Sequence, residues 1–218
     1  MTEIDLRPYQ ERDIKSISLC YAKGLKSVLY CLPTGGGKSV IFAHIAKKLS
    51  LKGKKVLILT DRLELIDGSA NALIRERIHP YIINAKSKRL NTSHSVYVAM
   101  SQTLKRRLLN PDYAAWFKAN FDFIIIDECH KEEFNYFFVN EIFGKALVLG
   151  VTATPRRRGK SRQLASDYKI LINGEPIDKL IADGWLCKPN YIEPDLDIEW
   201  GEMRTSQING ELDYRIED

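Results

Sequence analysis

The stretch "CLPTGGGKSV", residues 31–40, sets three adjacent glycines beside one lysine and one serine, between two apolar runs. A glycine turn leaves backbone N–H groups with no side chains in front of them, so anionic oxygens can be cradled by main chain alone. Pro33, Thr34, Gly35, Gly36 and Gly37 make that turn, and Lys38 supplies a cation for the outer phosphates. Ser39 opens the following helix and can offer its hydroxyl to Mg²⁺. The general spacing G-x-x-x-x-G-K-[ST] places a glycine six positions before the lysine, where this chain has Leu32. A glycine-rich hairpin turn is the plain alternative, but no hairpin requires a lysine-serine pair opening an amphipathic helix.

A phosphate loop joins a buried strand to a helix, and the chain on either side fits that setting. Short apolar runs at Ser27 to Leu32, Lys55 to Thr60, Ser95 to Met100, Phe121 to Asp127 and Ala146 to Thr152 alternate with amphipathic stretches. Most are apolar throughout, as strands covered on both faces should be. Helices are predicted from Pro8, over Ser39 to Leu51 and, with weaker patterns, over Leu63 to Ile78 and Gln102 to Leu109. Asn110-Pro111-Asp112 and Asn173-Gly174-Glu175-Pro176 read as turns, and Trp185 to Ile192 could add a strand. The alternation predicts an α/β domain with a parallel sheet and helices on both faces.

The phosphate loop needs a carboxylate for the metal and a second acid for the attacking water. "FDFIIIDECH", residues 121–130, supplies both at the end of a buried strand. Asp127 is placed to reach Mg²⁺ and Glu128 to polarise the nucleophile.

Length and composition set further bounds. The 218 residues carry a formal net charge of +5, with −7 concentrated in residues 193–218 and +12 in the remainder. A basic body invites a polyanion, although such charge also serves solubility. Cys20, Cys31, Cys129 and Cys187 stand far apart with no CxxC pair, so neither a zinc site nor a disulfide framework is suggested. No run approaches the roughly 18 uncharged residues of a membrane span, and a cytoplasmic location is expected.

Taken in order, six segments carry a resemblance. Leu6-Arg7-Pro8-Tyr9-Gln10, Pro33 to Ser39, Leu59 to Leu65, Val98 to Leu104, Asp127-Glu128-Cys129-His130 and Thr152-Ala153-Thr154-Pro155 resemble the motifs of the first motor domain of a superfamily-two helicase of the DExH-box kind. "LRPYQ", "DECH", "TATPRRRG" and "IDKLIADGWLCKP" are most similar to the RadD, UvsW and type III restriction motor branch. The resemblance implies a P-loop NTPase with a RecA-like sheet over residues 1–193, and an acidic linker over 194–218 that leads to a second motor domain. It implies ATP and Mg²⁺ as ligands, with Lys38, Asp127 and Glu128 catalytic and Ser39 and Asp127 on the metal. Arg7 and Gln10 would join the loop at the adenine, an edge that an amide can both donate to and accept from. Tyr9 could flank the base or belong to the core. His130, Thr152, Ala153 and Thr154 would couple nucleotide state to nucleic-acid grip. Arg62, Gln102, Thr103 and Arg157 would touch nucleic acid, DNA by preference with RNA open. Ser101 is also a candidate helix cap.

Nothing after Asp195 contains a second set of strands, so the chain is expected to be a monomeric fragment whose full site includes another domain. An ATP-driven helicase or translocase is the leading reading, weak or inactive without that domain. A nucleotide-gated binding module, the motor part of a restriction system and a phosphotransferase are the alternatives; a kinase leaves Gln10, Arg62 and the threonine motif without a role. The acids of "EPDLDIEW" lack the following lysine of an E-x-K nuclease pattern.

Overall fold

Apolar runs too short to hide themselves as helices pair here as strands, and seven of them build one sheet. The computed structural model describes residues 5–87, 92–157, 162–190, 204–208 and 211–215. In chain order the elements are α1 (Pro8–Ala22), β1 (Ser27–Cys31), α2 (Lys38–Ser50), β2 (Val56–Thr60), α3 (Leu63–Arg75), β3 (Tyr81–Ile83), β4 (Val96–Met100), α4 (Ser101–Arg107), α5 (Pro111–Asn120), β5 (Phe123–Asp127), α6 (Asn135–Val139), β6 (Leu147–Thr152), β7 (Ile170–Asn173) and α7 (Ile177–Ala182). The sheet order is β3-β4-β2-β5-β6-β1-β7, and every pairing is parallel. Residues up to Leu186 form one compact unit and Cys187–Asp218 a second.

Both faces are covered, as the continuous apolar strands require. Val28, Tyr30, Ile58, Ile125 and Val151 point to one face, where they pack with Ile14 and Ile17 of α1, Ile41 and Ile45 of α2, and Leu73 of α3. Leu29, Leu59, Ile124, Ile126 and Val148 point to the other, against Leu104 of α4, Phe117 of α5 and Phe137 of α6. The α/β fold and the five strands read from the pattern are present.

Several elements were not legible, the short helix α6 among them. β3 has three residues, and β7 is an edge strand whose Ile170 and Leu171 are 39% and 44% exposed, so neither shows a buried run. Asn110-Pro111-Asp112 does not merely turn the chain. Asn110 Oδ1 accepts from the Tyr113 amide at 3.0 Å and starts α5, which packs Phe117 and Trp116 around Phe121 and Tyr97. α7 follows Pro176. Trp185–Asn190 is not a strand, and residues 191–192 lie outside the described residues.

In the second unit, β8 (Arg204–Ile208) and β9 (Glu211–Arg215) pair antiparallel, with Arg204 opposite Arg215. This hairpin lies where a linker was expected, and the first unit ends seven residues before the expected boundary at 193. Among the described residues no helix is long and apolar enough to cross a membrane.

Gly150 shows how tightly the centre is filled. A Cβ there would lie 2.4 Å from the Tyr168 ring, and Tyr168 is itself buried with no room to retreat. Gly150→Ala is therefore expected to cost about 2 kcal/mol through overpacking. In thermal unfolding this should lower the midpoint by about 4–8 °C.

Candidate functional site

Open parallel sheets bind ligands beyond the carboxyl ends of their strands, and the predicted residues gather at that edge. β1 runs into a turn that closes with the Gly36 amide donating to the Pro33 carbonyl at 3.0 Å. Gly35 and Gly37 take φ of 80° and 86°, the left-handed region that glycine alone enters freely. A Cβ on Gly36 would meet Leu32 at 2.8 Å, and one on Gly37 would meet Gln10 Nε2 at 2.4 Å. The turn is thus a backbone-lined cradle that side chains would fill, which fits a phosphate group. Lys38 Nζ donates to the Leu32 carbonyl at 3.3 Å, keeping the ammonium folded over the cradle.

α1 braces that cradle from behind. The Tyr9 hydroxyl donates to the Gly36 carbonyl at 2.6 Å, and Tyr9 is 5% exposed, which settles it as core. Gln10 is also buried. Its Oε1 accepts from the Arg7 amide at 2.9 Å, and its Nε2 lies 3.5 Å from the Gly36 carbonyl. Both ends of the amide therefore serve the loop and the helix start. Arg7 stacks on Trp185 at 4.7 Å and donates to the Tyr9 hydroxyl at 3.0 Å. Leu186 packs over Gly35. Trp185 and Leu186 are site neighbours that no spacing in the sequence announces.

The acid pair arrives from β5. β6 lies between β5 and β1, so those two strands stand about 10 Å apart. Side chains close the gap: Glu128 Oε1 is 4.0 Å from Lys38 Nζ. Glu128 has φ of 49°, an uncommon conformation for a residue with a Cβ, which turns its backbone sharply after the strand. Asp127 is 7% exposed and accepts from the Glu128 amide at 3.1 Å. Burial, and then the neighbouring Glu128 charge, push its carboxyl up to about 6 from an ordinary 3.8.

Thr152 ends β6 beside both loops. Its Oγ1 lies 2.8 Å from His130 Nδ1, donates to the Thr154 carbonyl at 3.1 Å and accepts from the Thr154 amide at 2.9 Å. His130 Nδ1 is also 3.4 Å from Glu128 Oε2. Burial lowers the His130 pKa, so the ring is neutral near pH 7, and with the Thr152 proton given to the Thr154 carbonyl, an Nδ1–H tautomer donates to Thr152 Oγ1. The expected set His130, Thr152 and Thr154 is brought together; Ala153 supplies a carbonyl to Cys31 Sγ at 3.7 Å.

The basic and polar residues assigned to nucleic acid part company. Arg62 has an exposed side chain at the start of α3, Gln102 is exposed and Thr103 half-buried at the start of α4, and the strands before them are register partners, Thr60 opposite Met100. Arg157 is a correction. Its side chain is wholly buried, paired with Asp167 at 2.8 Å and donating to the Cys129 carbonyl at 3.3 Å, so it braces the acid loop and offers nothing to solvent. Arg107 likewise donates to the Ser87 and Asn84 carbonyls. Arg156 is exposed, whereas 88–89 and 158–160 lie outside the described residues. Ser101 is the first residue of α4 rather than its cap, and its hydroxyl donates to Glu133.

Comparison with known proteins agrees with this geometry. The family model described as "Type III restriction enzyme, res subunit" matches residues 3–157. IRC3 of Saccharomyces cerevisiae, a protein named as an ATP-dependent helicase, is 28% identical over 224 residues, which cover 95% of this chain and 32% of that protein. The nuclease-deleted type ISP restriction-modification enzyme LlaGI, solved with a DNA substrate mimic, superposes with a TM-score of 0.67 at 18% identity, over 84% of this chain and 21% of that one. The UvsW helicase of bacteriophage T4 gives a TM-score of 0.59 at 19% identity, over 78% of this chain and 60% of that one. The chain thus spans about a third of the length of the yeast protein. It belongs to the type III restriction enzyme res-subunit family, and its sheet is the first, RecA-like motor domain of a superfamily-two helicase.

Proposed function

We propose that this chain is the ATP-binding half of a DNA-dependent motor that hydrolyses ATP to separate strands or move branches once a second motor domain joins it. The observation that carries the reading is the approach of Lys38 and Glu128 to 4.0 Å across β6, directly above a glycine cradle. A kinase would need an acceptor pocket, and nothing among the described residues at this edge favours one over an attacking water.

The backbone of residues 33–37 and Lys38 would bind the triphosphate, while Ser39 and Asp127 would hold Mg²⁺. That ion, when bound, neutralises charge on the phosphate oxygens. Glu128 orients the water and takes its proton on a carboxylate oxygen. His130 Nδ1 stands between Thr152 Oγ1 at 2.8 Å and Glu128 Oε2 at 3.4 Å, so that a change at the acid loop is felt at the end of β6. Arg7 and Trp185 stand on the α1 side, where a base would lie. A second domain would contribute the missing cation; an arginine finger is worth about 10³–10⁵ in rate, so the 218-residue chain alone should turn over slowly. DNA as the track is supported by the basic body, by Arg62 and Gln102 at neighbouring strand ends, and by the DNA-bound state of LlaGI.

Glu128→Gln in the full-length protein should lower DNA-stimulated phosphate release by about 10²–10⁴ while leaving ATP affinity unchanged; phosphate release at the wild-type rate overturns the role. Binding of duplex DNA should weaken with salt at a slope of about −0.9 per phosphate neutralised, and Arg62→Ala should make that slope shallower by about one contact.

A third measurement concerns Asp127. Its carboxyl holds a proton more tightly folded than unfolded, so folding takes one up between pH 3.8 and about 6. The stability this contributes is full below the unfolded value and lost as pH rises through about 6. Above that, the buried charge costs on the order of 2–3 kcal/mol in the nucleotide-free protein. Asp127→Asn should therefore raise the nucleotide-free unfolding midpoint at pH 8, and the gain should vanish near pH 4.

A further inference from the structure

The residues just after the acid pair, Lys131-Glu132-Glu133, have no part in the chemistry above, yet two of their side chains are committed. Lys131 Nζ lies 2.6 Å from Asp61 Oδ2. The Ser101 hydroxyl donates to Glu133 Oε1. Asp61 directly precedes Arg62, and Ser101 directly precedes Gln102. One short segment is thus tied to both of the chain positions from which the candidate DNA contacts emerge.

The setting makes these ties firm. Asp61 has a side chain 5% exposed, and Ser101 is fully buried. Asp61 Oδ1 has no hydrogen-bond partner among the described residues, so its charge leans on Lys131, with Arg62 Nε farther away at 3.6 Å. Exposed pairs of this kind contribute little, but a buried carboxylate that loses its nearest cation is left uncompensated. The topology explains the layout. β2 has β5 on one side and β4 on the other, so a segment leaving β5 reaches across the ends of both.

We propose that Lys131 and Glu133 are positioning residues that transmit the state of the acid loop to the DNA-contacting starts of α3 and α4, through a link separate from the His130–Thr152 contact. The inference rests on the motor reading given above. Movement of Glu128 shifts the segment that follows it in the chain. Through Asp61 and Ser101, that segment shifts Arg62 and Gln102 together, so ATP and DNA affinity change each other by one common factor.

The test uses the full-length protein, a duplex DNA oligonucleotide and a non-hydrolysable ATP analogue. The readout is the ratio of DNA affinities with and without the analogue, beside DNA-free ATP turnover. In Lys131→Met with Glu133→Gln, the ratio should move toward one by about fivefold or more, with DNA-free turnover unchanged. Lys131→Arg, which keeps the charge, should retain the wild-type ratio. A double variant whose ratio stays within about twofold of wild type overturns the proposal, since allosteric couplings are typically larger than that. So does a wild-type ratio near one, a Lys131→Arg variant as defective as Lys131→Met, or a fall in DNA-free turnover equal to the fall in stimulated turnover. Glu128→Gln run in parallel separates the two readings: if it keeps full turnover the motor reading fails, and if it loses turnover only the outcomes above bear on Lys131 and Glu133.

Discussion

The place of β6 between β1 and β5 is the constraint on which the site depends. Parallel strands that follow one another through helical crossovers need not be neighbours, and here the loop strand and the acid strand are held one strand apart. That spacing leaves about 10 Å between their ends, which the Lys38 and Glu128 side chains span to come within 4.0 Å of each other beside the glycine turn. The separating strand also ends at Thr152, so the residue that fills the gap in the sheet is the one that bonds to His130.

Around that edge, polar groups are buried at a cost and then given partners. Tyr9 and Gln10 come out of solvent to hold the Gly36 carbonyl. Arg157 is buried against Asp167, and Asp167 also meets Arg162 at 2.6 Å. Burying a charge pair does little for stability in itself, and its use here is geometric. The Arg157 guanidinium fixes the Cys129 carbonyl and hence the direction in which the acid loop leaves β5. Asp127 is the contrasting case: its carboxyl is buried with only an amide and a distant lysine to favour its charge, so it stays poised to gain from a cation.

The basic residues show why charge counts overstate a nucleic-acid surface. A run such as Arg156-Arg157-Arg158 reads as one patch, yet Arg156 is exposed while Arg157 turns inward. Arg107 points back onto the chain at Asn84 and Ser87. Among the described residues, Arg62 and Gln102 are exposed at the ends of two register-matched strands.

By itself the sequence determined the elements whose physics is local. The five buried strands, the helix after Lys38 and the glycine turn follow from apolar runs, periodicity and the conformations that only glycine allows; Lys38, Asp127 and Glu128 follow from their places at strand ends, whereas His130 and Thr152 came only through the family resemblance. The order of those strands was not legible, because register and neighbourhood come from packing between segments far apart in the chain. Tertiary structure alone decided that Lys38 meets Glu128, that Tyr9 and Gln10 brace the loop, that Arg157 is internal, and that Lys131 and Glu133 reach Asp61 and Ser101. The short strands β3 and β7 and the helix α5 likewise owe their existence to the neighbours they pair with or pack on, since three or four residues carry too little pattern to specify a strand before the sheet edge is there to receive them.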